Sequence, residues 1–113
     1  MRDIKGMIDI SGMGGPYEGA CQVMLQKGYE WLEKKKAENK DVDLKVTTYK
    51  NVYGILNPES DDAKALSKAI TDNIPGGVSG AMHQAVMGHL IYIANHGVDE
   101  WKEYVETARA KRE

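Results

Sequence analysis

The chain has 113 residues, of which 42% are hydrophobic and 28% charged, enough apolar material to close a core and too much for a disordered segment. With 15 basic and 17 acidic residues the formal charge is −2, so no positive excess is available to neutralise a phosphate backbone, and a general nucleic-acid binder is excluded. The lone Cys21 rules out an internal disulfide framework, and no run approaches the roughly 18 apolar residues of a membrane helix.

The first residues, Met1 to Gly6, are charged and lead into no apolar stretch of signal-peptide length. One cytoplasmic domain spanning residues 1–113 is therefore expected. Residues 4–10 alternate, with Ile4, Ile8 and Ile10 on one side and Lys5, Met7 and Asp9 on the other, which predicts a strand. Ser11-Gly12-Met13-Gly14-Gly15-Pro16 follows as a loop, with Pro16 suited to the first turn of a helix. That helix is predicted from Pro16 to Glu38. Tyr17, Ala20, Cys21, Met24, Leu25, Gly28, Tyr29, Trp31 and Leu32 recur at steps of three and four. Lys34, Lys35 and Lys36 stand among acids and read as its solvated end.

Leu44–Tyr49 and Val52–Leu56 are rich in β-branched and aromatic residues and predict two strands turning at Lys50-Asn51. Asn57-Pro58-Glu59-Ser60-Asp61-Asp62 reads as a helix start, with Ala63, Leu66 and Ile70 as the buried stripe of a short helix ending near Asn73. Asp61 and Asp62 fit first-turn acids and match no calcium-loop spacing. After Pro75-Gly76-Gly77-Val78-Ser79 a third helix is predicted from Gly80 to Asn95. No Asp, Glu, Lys or Arg occurs between Asn73 and Val98, so this helix is expected at the centre, buried on most sides. Gly97 is its expected C-terminal cap. A last helix starts at Val98, with Trp101, Tyr104, Val105 and Ala108 inward and Arg109, Lys111 and Arg112 at its C-terminal end. The expected fold is α+β and mostly helical, with about four helices and a small sheet of two or three short strands.

Chemistry concentrates where two glycine-rich loops feed helix starts. Free amides and the helix dipole make such a terminus an anion site, and glycine allows close approach. Gly12, Gly14, Gly15, Tyr17 and Glu18 at the first loop, with Gly76, Gly77, Ser79, His83 and Gln84 at the second, are the candidate ligand-binding residues. Neither loop is a dinucleotide or P-loop motif: the third glycine position holds Tyr17, no second βαβ unit follows, and no Lys-Ser/Thr closes the loop. Metal binding is disfavoured. His83 and His89 lie about 120° apart on their helix, and His89 and His96 sit about 10 Å apart along it. His89 falls among Met82, Val86 and Ile93, where a hydrogen-bonded core histidine is expected. Cys21 continues the apolar stripe of its helix and reads as a buried thiol.

The runs Gly14-Gly15-Pro16-Tyr17-Glu18 and Gly80-Ala81-Met82-His83-Gln84-Ala85-Val86-Met87-Gly88-His89-Leu90 resemble small uncharacterised proteins of bacteria and their phages. The resemblance implies a phage-type accessory protein that acts by binding, and it carries no activity, cofactor or site. The reading is a binding protein for a phosphorylated or otherwise anionic, nucleotide-like small molecule held at the loop–helix junctions. Self-association is expected, with no cofactor, nucleic acid or membrane. The alternatives are a homo-oligomeric interaction module with a Tyr/Trp-rich helix face and, behind it, an enzyme using Cys21, His83 and Glu18.

Overall fold

The computed structural model describes residues 4, 15–48, 56–72, 74 and 80–112. Four helices and a two-stranded antiparallel sheet make up these residues: α1 Gly15–Ala37, β1 Val46–Thr48, β2 Leu56–Pro58, α2 Asp61–Thr71, α3 Gly80–His96 and α4 Val98–Arg112. This is the mostly helical α+β fold expected. The strand expected over 4–10 lies outside the described residues except for Ile4. That residue is fully buried, and its amide donates to Gln26 Oε1 at 2.8 Å. The turn expected at Lys50-Asn51 also lies outside them.

Helix α1 buries Cys21, Met24, Leu25, Tyr29 and Leu32, the stripe its periodicity announces. It ends in a Schellman motif. Asn39 has φ 57°, its amide donates to the Lys36 carbonyl, and that of Lys40 donates to the Lys35 carbonyl. Asparagine is among the few side chains that tolerate this backbone, and the three lysines in the last turn complement the dipole.

The strands pair Val46 with Pro58 and Thr48 with Leu56. Asn57 and Pro58 were expected to open a helix, but they belong to β2, and the cap is Ser60. Its hydroxyl accepts from the Ala63 amide at 3.1 Å and the Lys45 amide at 3.1 Å, and donates to the Asp43 carbonyl. Asp62 accepts from the Asp43 amide at 3.0 Å. Helix α2 starts at Asp61, inside the run expected to open it and with Asp61 and Asp62 in its first turn, and its cap also anchors the segment leading into β1. Ala63, Leu66 and Ile70 form its buried stripe as expected.

Helix α3 packs against α1, α2, α4 and β2, which makes it the hub of the fold. It buries Met82, Val86, Met87, Leu90 and Ile93, but Gly88, Ala94, Asn95 and His96 are exposed. Its lack of charge reflects an uncharged open face as well as burial, a correction to the expectation that most of its sides are covered. Gly97, at φ 88°, donates to the Ile93 carbonyl to close α3. Its own carbonyl accepts from the Trp101 amide to open α4. One glycine thus serves as the cap of both helices.

In α4, Trp101 and Val105 are buried, but Tyr104 is 51% exposed rather than inward. It lies about 100° around the helix from Val105, and its ring lies against that of Tyr92 instead.

Gly28 sits where α1, α2 and α3 converge. A Cβ built there would overlap Leu90 Cδ1 and lie 2.8 Å from Leu90 Cδ2 and 3.0 Å from Ile70 Cγ2. Leu32 of α1 and Ile93 of α3 both line a groove beyond this contact. The two helices therefore run in the same sense, and both begin at the end of the molecule away from that groove. Gly28→Ala is expected to lower stability by about 1–3 kcal/mol, because Leu90 and Ile70 are fully buried and have no free space to move into. Gly88→Ala, whose Cβ would meet nothing within 4 Å, is expected to raise it by up to about 1 kcal/mol. Urea unfolding of the two variants beside the parent chain checks both signs.

Candidate functional site

The candidate ligand-binding residues divide sharply. Gly15, Tyr17 and Glu18 lie in the first turn of α1, and His83 and Gln84 lie near the start of α3. Gly12, Gly14, Gly76, Gly77 and Ser79 lie outside the described residues. The shared direction of α1 and α3 puts both helix starts, and hence both positive dipole ends, toward one end of the molecule.

The two starts are not equivalent. Pro16 removes one amide from the first turn of α1, and Glu18 brings a negative charge to it. The first turn of α3 carries no acid. By charge, α3 is the better anion terminus.

His83 is half-buried, and its Nε2 lies 2.6 Å from Ser67 Oγ of α2. Burial holds its imidazole below the ordinary value of 6.5, so the ring is neutral at pH 7. Ser67–His83 is a hydroxyl–imidazole pair of the kind used in nucleophilic catalysis. Ser67, however, sits in the interior of a helix, and the bond ties α2 to the beginning of α3. Cys21 is fully buried, and desolvation pushes its thiol above the ordinary value. A thiol in that state is a poor nucleophile, which removes the main support for the Cys21, His83 and Glu18 alternative.

His89 is hydrogen-bonded as the sequence suggests, but it is half-buried at the edge of the core rather than within it. Its Nδ1 accepts from Trp101 Nε1–H at 3.0 Å, and the two rings meet edge to face with centroids 5.9 Å apart. The indole is fully buried, so this bond satisfies its single donor. Accepting at Nδ1 requires the neutral tautomer with its proton on Nε2, and burial again holds the imidazole below 6.5.

Two further features escaped sequence reasoning. A groove of about 750 Å³ lies between the end of α1 and the α3–α4 corner, with Leu32, Val42, Ile93 and Val98 as its apolar lining. Its rim carries both signs, including Glu33, Lys36, Lys40 and Asp99, so it selects no single charge class. Beside it, His96, Tyr92 and Tyr104 form a ring ladder. The His96 and Tyr92 centroids are 4.5 Å apart, and those of Tyr92 and Tyr104 are 4.8 Å apart at an interplanar angle of 20°. The four-residue step from Tyr92 to His96 was a sequence signal for half of this ladder. The other half depends on the turn at Gly97.

Among the described residues no group of three or more His, Cys, Asp and Glu side chains could hold a metal ion, and no helix is long and apolar enough to cross a membrane. No family model, curated protein or solved structure matches the chain.

The two histidines make stability depend on pH with a definite sign. Both take up protons more readily when unfolded, so the stability they supply is complete above about pH 6.5 and is lost as the pH falls through their lower native values. Thermal melts at about pH 7.5 and pH 5.5 should show a clear fall in Tm. The fall should be smaller in His89→Gln, whose side-chain oxygen can still accept from Trp101 but cannot titrate. An equal fall in both chains would remove His89 from the cause.

Proposed function

We propose that this protein acts by binding rather than catalysis, and that its ligand is a phosphorylated or otherwise anionic small molecule held at the beginning of α3. The observation that carries this reading is the acid-free first turn Gly80–His83 at the end of the molecule where α1 also begins. The positive end of the helix dipole attracts an anion without any charged side chain. His83 contributes a neutral ring, so affinity comes from the backbone and should vary little between about pH 7 and pH 8. The glycine-rich sequences preceding α1 and α3 would allow close approach to the ligand. The cytoplasm suits such a protein, since a lone thiol stays reduced there.

An interaction module is the second reading, favoured by the half-exposed Tyr104 at the edge of the ring ladder. Tyrosine suits such surfaces because its ring packs on an apolar neighbour while its hydroxyl keeps a polar partner. An accessory role of the phage type is compatible with either reading.

Inorganic phosphate followed by amide chemical shifts tests the first reading, alongside native mass spectrometry of gently purified protein for a retained ligand. Saturable shifts should centre on residues 80–83. Gly80→Asp places a carboxylate where the helix dipole favours it, so the fold should hold. That charge should weaken phosphate binding at least tenfold. Saturation at unchanged affinity in Gly80→Asp, or no shifts at 80–83 at all, would discard the site.

A further inference from the structure

Helix α4 leaves α3 at the Gly97 corner and packs back against α3, its main neighbour among the described elements. Among the described residues Trp101 and Val105 are its buried side chains, and the indole N–H is bonded to His89 Nδ1 at 3.0 Å. His89 is half-buried, so its ring stays within reach of solvent protons.

The two imidazole bonds of α3 differ in what a proton does to them. A serine hydroxyl both donates and accepts, so Ser67 Oγ can accept from a protonated His83 across the same 2.6 Å contact. An indole nitrogen only donates. Once His89 Nδ1 carries a proton, two N–H groups face each other and the bond to Trp101 is lost.

Little around His89 offsets the new charge. No charged side chain is buried among the described residues, and β2 has no ionisable residue. The buried ionisable residues of α1 are Cys21 and Tyr29, which carry no charge in acid, and α2 buries none. On α4, Trp101 is flanked by Glu100 and Lys102. Glu100 is exposed and contacts His96 at 3.6 Å, and Lys102 is a cation that cannot stabilise an imidazolium. Protonation of His96 strengthens its contact with Glu100, which holds the corner while the bond beyond it fails.

We propose that α4 is a latch opened by acid: a proton on His89 breaks its bond to Trp101, and α4 swings off α3 about Gly97. The helices that meet at Gly28 stay packed, because Leu90, Ile70 and the α1 backbone bear no titrating group there. The open form exposes Trp101 and Val105, an apolar face that is covered at neutral pH. The latch assumes neither reading of the function above. Its direction follows from burial, which lowers the docked imidazole below the 6.5 it regains when α4 leaves. The closed form is therefore complete above about pH 6.5, and opening grows up to about tenfold per pH unit until the docked value is passed.

Hydrogen exchange at about pH 7 and about pH 5, expressed as protection factors so that the intrinsic rate drops out, tests the latch. Protection of residues 102–107 should fall about tenfold more than that of residues 24–32 in α1. In His89→Gln, which accepts from the indole without titrating, this selective fall should vanish, whereas His83→Gln should keep it. Circular dichroism confirms that the variants fold. Should His89→Gln not fold, Trp101→Phe decides, since it has no donor to strand and the selective fall should shrink. Equal falls in α1 and α4 would report global loss of stability and overturn the latch. Unchanged protection of α4, or a selective fall that persists in His89→Gln or undiminished in Trp101→Phe, would overturn it as well.

Discussion

The packing turns on the absence of a side chain at Gly28. Three helices meet at that point, with Leu90 of α3 and Ile70 of α2 closing over the α1 backbone at distances that no Cβ could share. Burial of a full leucine or isoleucine side chain contributes about 1.5–3 kcal/mol, and both side chains have no exposed surface. The close approach lets α3 run alongside α1 and touch α2, α4 and β2 as well. Gly28 is therefore the position at which a small residue does most to decide the arrangement of its neighbours.

The second constraint is polar. Trp101 brings α4 into the core and must satisfy one indole donor there; His89, one residue from Leu90 on the hub helix, accepts it. Ser67 and His83 play the corresponding part between α2 and α3. Two of the three histidines thus join α3 to different neighbours through a hydrogen bond, which specifies orientation more narrowly than apolar contact does. Those roles explain why the histidines gather on one helix without forming a metal site among the described residues.

The same arrangement separates two kinds of surface. Helices α1 and α3 both begin away from the groove, so their positive dipole ends point toward the same end of the molecule. At the other end lies the Gly97 corner, with its groove and ring ladder. The proposed anion site lies at the first end, away from the groove and the rings.

Much of this was legible along the chain. The apolar steps of α1, the stripe Ala63, Leu66 and Ile70 and the glycine at the α3–α4 corner all follow from local periodicity and capping, which act over a turn or two of backbone. The choice of Ser60 over Asn57 as the cap of α2 was not legible, because it depends on a hydrogen bond to Lys45, 15 residues away. Tyr104 was misplaced for a related reason: periodicity gives the angle of a residue around its helix but not which neighbour lies at that angle, and here the neighbour is a partly open tyrosine. By itself the sequence determined the helices, their apolar stripes and the exclusion of an internal disulfide framework, since these rest on composition and local spacing. Only the tertiary structure decided that α1 and α3 run in the same sense and that His83 is bonded to Ser67. Each of these requires residues distant in sequence to share a volume, and close packing selects among the ways they can do so.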